Sequence, residues 1–265
     1  MKLIQKAFIE KIRFQLKAAM SFDVIAEHGL KHVKHCFDEK QKESSYFGFI
    51  DSPDEDAGPF RNITIKIVDA AEFAEENRDA LIESFHAEMV QSWYTFLIDL
   101  FSFILSEVRD GNLIYKIPKL EIEVRGDSVA SDNLRDEILS AMVKNFDSKK
   151  SFEKFNFIKN ILKKKTSEFD PELSIVKGEI VLRNLLQHNH GKIRQRDVDM
   201  AGVKYFRSRN RNGNIEEYSI GEKIHRTVFD LRNLAAALES ISSKLVNAHL
   251  MDGDKHSELI DESEF

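Results

Sequence analysis

The sequence predicts a mainly α-helical protein, a helical bundle carrying a small β-ribbon near its N-terminus. Three observations predict it. Only 4 Pro and 11 Gly occur in 265 residues, too few for a loop-rich all-β fold. Apolar residues recur at helical spacing over long stretches, as at Ile4, Phe8, Ile12 and Leu16. Two short segments, Tyr46–Ile50 and Asn62–Val68, instead carry strand patterns, the second by alternating apolar and polar residues.

The elements follow in order. Leu3–Met20 and Phe22–Phe37 read as two amphipathic helices. The strand candidates are separated by Asp51–Pro59, an acidic, turn-rich loop. A long helical region spans about Ala70–Val108. Its second half is apolar nearly all round, which predicts a central helix. The stretch Trp93–Leu105 is too short for a membrane span and is interrupted by Asp99. Asp110-Gly111-Asn112 ends the region, and Leu113–Val124 reads as extended with a bend at Pro118. Ser131–Asn145 and Ser151–Lys165 are two further helices, the second with a basic exposed side (Lys154, Lys159, Lys163, Lys164, Lys165).

Asp170-Pro171-Glu172 starts a helix: Asp can cap, Pro is preformed for the first turn, and Glu suits the positive end of the dipole. This helix runs to about His188, and Gly191 supplies a left-handed stop. Arg194–Gly221 reads as irregular and contains a basic turn, Arg207–Asn214. A last helix covers Glu222–Leu250. The expected organisation is an N-terminal extension, 1–70, packed on the main domain; a helical domain, 71–250; and an acidic flexible tail, 251–265.

Composition narrows the functional classes. The net charge of -6 gives no global nucleic-acid footprint, so any RNA contact must come from local basic patches. The single Cys36 rules out an internal disulfide framework and suits a reducing cytoplasm. Met1–Lys6 alternates charged and apolar residues, unlike a signal peptide. No metal or cofactor is expected. His28, His32 and His35 lie at helical spacing beside Cys36, but no second pair of ligands accompanies them, so they read as a basic helix face. Glu72, Glu75, Glu76 and Asp79 read as a solvated face. Trp93, Tyr94, Phe96, Phe101 and Phe103 read as core. No Gly-rich phosphate loop or Ser-hydrolase elbow is present.

The segment that offers chemistry is Leu182-Arg183-Asn184-Leu185-Leu186-Gln187-His188-Asn189-His190-Gly191. Asn184 and His188 are four residues apart and share a helix face. Arg183 and His188 point roughly 140° apart on an ideal helix, so they meet at one phosphate only if the last turn is distorted or a second molecule brings its own copy. Leu182, Leu185, Leu186 and Ile175 form one apolar stripe, while Ile180 and Val181 lie beside Asn184 and His188. A helix apolar on two faces is buried on two faces, one against the core and the other suited to a subunit interface. Leu231-Arg232-Asn233-Leu234 copies the start of the segment, with Ala237 where the His would stand.

Arg183-Asn184-x-x-x-His188, near a helix end and followed by Asn-His-Gly, resembles the motif of the HEPN superfamily: Arg, four to six residues, then His, often with a polar residue directly after the Arg. The resemblance covers roughly Ala70–Leu250, with the long apolar helix, the motif helix, a short irregular link and a closing helix in the same order. It implies a metal-independent endoribonuclease of a toxin–antitoxin or phage-defence system, acting as a homodimer with a composite site. An antitoxin or defence-system protein is then a further partner. Some members have lost activity and serve as interaction modules, which is the alternative. Members silenced by nucleotidylation carry a Tyr two positions after the His; this chain has His190 there, so that control is not implied.

The residue chemistry agrees. Cleaving RNA through its own 2'-hydroxyl needs a proton acceptor, a proton donor and positive charge at the phosphorane. A histidine can transfer protons near neutrality, and an arginine offers a charged planar fork to phosphoryl oxygens. Arg183, Asn184 and His188 are therefore the candidate catalytic residues. Lys192, Arg207, Arg209 and Arg211 are candidates for holding RNA phosphates.

Overall fold

The computed structural model describes residues 1–36, 46–48, 64–112, 117 and 134–257. The protein is mainly helical. In order, the elements are α1 (Lys2–Cys36), β1 (Tyr46–Gly48), β2 (Thr64–Lys66), α2 (Ile67–Glu76), α3 (Arg78–Arg109), α4 (Leu134–Ser148), α5 (Ser151–Ile161), a 3-10 turn at Thr166–Glu168, α6 (Asp170–Asn189), α7 (Gln195–Ala201), β3 (Phe206–Arg209), β4 (Ile215–Tyr218) and α8 (Val228–Ser257).

The small N-terminal ribbon forms as expected: β1 and β2 pair antiparallel, Phe47 opposite Ile65. Other boundaries differ from expectation. The two N-terminal helices are one helix of 35 residues, roughly 52 Å long at 1.5 Å per residue. No Gly or Pro separates Met20 from Phe22, and Ala19 and Ala26 continue one buried stripe. Conversely, the Ala70–Val108 region is two helices broken at Asn77, whose backbone N–H still caps α2 on Phe73. The segment expected to be irregular, 194–221, holds α7 and a second antiparallel hairpin, β3–β4, with Phe206 opposite Tyr218. The basic turn is this hairpin's connection, where the Asn210 side chain accepts from Asn212 N and Asn214 N. α8 begins later than expected, at Val228, and continues to Ser257. The expected loop Asp51–Pro59, most of the extended Leu113–Val124 segment and the end of the tail, 258–265, lie outside the described residues.

α3 is the central helix. Trp93, Phe96, Leu97, Leu100, Phe101 and Ile104 are all buried along it. Phe8 and Ile12 of α1, Phe146 of α4, Phe155 of α5, and Leu234, Leu238 and Ile241 of α8 complete one main core, so the N-terminal segment shares the core of the rest. Among the described helices, Arg78–Arg109 is long and apolar enough to cross a membrane, but just over half of its most apolar window is buried inside the fold. Gly111, at φ +79, closes the helix: its N–H reaches Val108 O, and Asn112 N reaches Glu107 O. That is the paired-bond stop which favours glycine.

Polar links fix the long helices against one another. The buried Arg78 guanidinium donates to Asp23 at 2.6 Å and to Glu27 at 3.0 Å, tying the start of α3 to α1. Glu172 on α6 accepts from Ser240 and Lys244 of α8, which together hold its carboxyl down at about 2. A smaller core lies apart from the main one, where Val181, Leu182 and Leu185 of α6 meet Ile193, Val198 and Ala201, with Phe206 and Ile224. The motif is thus built on a helix shared by two cores.

Phe101 stacks on Phe146 at 4.3 Å and meets Phe157 edge-on at 5.5 Å. Phe101→Ala should therefore cost about 3–5 kcal/mol. Urea unfolding followed by the fluorescence of the buried Trp93 measures it, and an unchanged midpoint contradicts this packing.

Candidate functional site

The Arg-Asn-x-x-x-His segment occupies the last two turns of α6. The helix is regular to Asn189; His190 (φ 50) and Gly191 (φ 79) then take left-handed conformations. Gly191 is required for a second reason. A Cβ there would lie 2.6 Å from Ile224 O, where Ile224 N donates to Gly191 O at 3.0 Å. Ile193 N adds a bond to Glu222 O. The motif's end is thereby stapled to the segment that enters α8.

Arg183 and Asn184 are half-buried and His188 is exposed. Arg183 Nη1 donates to Asn184 Oδ1 at 3.1 Å, while its buried Nε has no protein partner. Arg183 borders a cavity of about 230 Å³ with Glu83, Ser84, His86 and Gln187. Asn184 borders a different groove, of about 560 Å³, with Lys149, Lys150, Phe152 and Lys177. Because α6 is undistorted through His188, the Arg183 and His188 side chains of one chain diverge by roughly 140°. The structure thus brings Arg183 to Asn184, and Asn184 to the face of His188, but does not bring Arg183 to His188.

Val181 is buried under α7 and the residues around it, and Ile180 packs against the main core. Val181 is thus covered within the chain, while Ile180 is half-buried and borders the groove beside Asn184.

None of the four candidate phosphate contacts lines the groove beside Asn184. Arg207 lines a separate cavity with Ser174, Gly178 and Leu182, on roughly the opposite side of α6 by helix geometry. Arg207 is paired with Glu217 at 2.9 Å and lies over the Tyr205 ring. Arg209 donates to Gly213 O, and Arg211 to Asp79. Lys192 is exposed just beyond the motif, its carbonyl accepting from the Asn189 side chain. Lys154, expected on an exposed basic side, is buried and bonded to Asp147 at 2.8 Å. His28, His35, Glu72, Glu75 and Glu76 are exposed on α1 and α2.

A buried polar network beneath the motif was missed in the sequence. Arg226 Nη2 donates to both carboxylate oxygens of Glu179 at 2.5 Å, and His86 Nε2 meets the same carboxylate at 2.9 Å. Arg226 also pairs with Asp230 at 3.6 Å, and Asp230 accepts from Ser208 and the Arg209 backbone. The network thus joins α3, α6, β3 and α8. A signal existed: Glu179 stands at the apolar spacing of Val176 and Leu182, and His86 at that of Ile82 and Met89, and a polar residue at a core position needs a buried partner. Burial pushes His86 below its ordinary value despite the pull of Glu179. Burial also works to raise Glu179, but Arg226 and His86 outweigh it and leave that carboxyl lowered.

No family model, curated protein or solved structure matches this chain.

Two outcomes follow from the network. Arg226→Ala strands the Glu179 charge in the interior and should destabilise by about 3–5 kcal/mol, whereas the double change Arg226→Met with Glu179→Leu should recover most of that. Chemical unfolding of the two variants decides it, and equal losses reject the pairing. The pH dependence has a definite sign. Below about 6.5 the unfolded chain binds a proton on His86 that the folded chain refuses, so stability is lost as pH is lowered. Glu179 acts in the same direction, its contribution being lost as pH falls from its unfolded value through its lowered folded one. The thermal midpoint should drop between about pH 7.5 and 5.5, and His86→Gln should flatten that slope.

Proposed function

We propose that this protein is a metal-independent endoribonuclease of the HEPN type, cutting single-stranded RNA in the cytoplasm as a toxin or phage-defence effector. The observation that carries this reading is the arrangement on α6. A half-buried arginine is bonded to an asparagine, and that asparagine shares its face with an exposed histidine one turn on. The arginine retains donors for phosphoryl oxygens, and the histidine is open to substrate.

The regular helix sets the assembly this chemistry needs. With Arg183 and His188 diverging in one chain, a homodimer would bring the Arg183 of one copy toward the His188 of the other. In the reaction the 2'-oxygen bonds to phosphorus and the bond from phosphorus to the 5'-oxygen breaks. One His188 accepts the 2'-hydroxyl proton, and the other gives a proton to the departing 5'-oxygen. Arg183 neutralises the charge on the phosphorane, and Asn184 orients Arg183. The products end in a 2',3'-cyclic phosphate and a 5'-hydroxyl. The same divergence favours the second reading, a catalytically silent interaction module of a defence complex, if the chain stays monomeric.

His188→Ala should lower cleavage of single-stranded RNA by about 10²-fold or more, and Arg183→Ala by about 10²–10³-fold. Glu75→Ala, on the exposed face of α2, should stay active. DNA of the same sequence should survive, and EDTA should leave the rate unchanged. Gel electrophoresis of the products measures cleavage, and sedimentation measures assembly. Equal cleavage by wild type and His188→Ala sinks the reading, as does loss in EDTA with rescue by magnesium.

A further inference from the structure

The groove beside Asn184 departs from the character of the whole chain. The protein carries 45 acidic against 39 basic residues, yet the lining of this groove includes four lysines and no carboxylate. Lys154 is already bonded to Asp147. Lys149, Lys150 and Lys177 have no ion pair among the described residues; Lys149 lies over Phe157 and Lys177 over Phe152, at 5.8 Å from each ring centre. Phe152, at the edge of this groove, is 38% exposed. The volume, about 560 Å³, falls in the range of pockets that hold a small organic ligand, roughly 300–1,000 Å³.

We propose that this groove is the track for single-stranded RNA leading to the α6 site, with Phe152 as a stacking platform for one base and Lys149, Lys150 and Lys177 as phosphate contacts. The inference rests on the ribonuclease reading for the nature of the strand. Charge selects the ligand: an anion enters a lysine-lined groove, and an exposed aromatic favours an anion that also carries flat apolar faces. An acidic peptide satisfies the lysines but not the ring. Position selects the route. Asn184 forms one wall, and His188 stands four residues further along the same face, about 6 Å up the helix axis. A strand leaving the groove past Asn184 therefore passes the proton-transfer group next. Arg207, on the other side of α6, and Arg209 and Arg211 are engaged by the chain itself and are not part of this track.

The test uses the full chain with His188→Ala, so that substrate is not consumed, and a fluorescein-labelled single-stranded RNA of about 12 nucleotides. Fluorescence anisotropy gives the affinity over a range of salt. Adding Phe152→Ala should weaken binding by about 5- to 150-fold. Adding Lys177→Ala should reduce the slope of log affinity against log salt by about 0.7. Unchanged Trp93 fluorescence confirms that each variant is folded. Unchanged affinity and slope in Phe152→Ala and in a Lys149→Glu, Lys177→Glu double variant overturn the proposal. So does displacement of the RNA by polyglutamate with no effect of Phe152→Ala, the result expected for a peptide site. Cleavage by the chain with His188 intact is read separately. Groove variants that lose binding while that chain cuts nothing uphold the track and reject the ribonuclease; a chain that cuts RNA while groove variants bind normally does the reverse.

Discussion

A guanidinium and a carboxylate buried together bind the architecture in a way that apolar packing alone does not. Arg226 and Glu179 cannot be separated without leaving a charge in the interior, and each belongs to a different part of the fold. Through His86 the pair reaches the central helix, and through Asp230 and Ser208 it reaches the second hairpin. Hydrophobic contact is non-directional and tolerates sliding; this network does not, because its hydrogen bonds and ion pairs hold only at fixed distances and angles. It therefore sets the rotation of α6 about its own axis. That rotation decides which residues of the motif face the interior and which face solvent. The reactive-looking face of α6 is a consequence of what its opposite side is tied to.

Much of the helical framework was legible in the sequence because long periodic segments carry redundant information. Trp93, Phe96 and Phe101 repeat the same message at each turn, and Gly111 marks a stop that only a left-handed residue makes well. The failures have local causes. Nothing in Met20-Ser21-Phe22 breaks a helix, so the division of α1 had no physical basis. The break at Asn77 has no strong breaker either, and arises where Arg78 turns inward to two carboxylates of α1. The β3–β4 hairpin was obscured by its charge: Arg207 and Glu217 face each other across the strands, and a strand exposed on one side with four or fewer residues leaves little periodicity to read.

The candidate site was legible only in part. Asn184 and His188 share a face, as four-residue spacing dictates. The groove beside Asn184 was not foreseeable, since its lysines come from α5, the turn before it, and α6, which adjacency in sequence does not join. Nor did clustered charge in sequence mark an available cation: Arg207, Arg209 and Arg211 are each occupied by partners within the chain. Charge density along a chain and charge available at a surface are different quantities.

The division into two cores has a kinetic meaning. The last turns of α6 close over the smaller cluster, formed with Ile193, Val198, Phe206 and Ile224, whereas its first turns belong to the larger one. Amide protons near Leu173 and Val176 should then exchange with solvent deuterium only when the whole molecule opens, while those from Leu185 onward report a smaller cooperative unit with its own opening free energy. One helix would carry two clocks. The end bearing His188 is the faster, so a ligand or partner that binds there can be detected as slowed exchange at that end alone, with the remainder of the same helix as its internal reference.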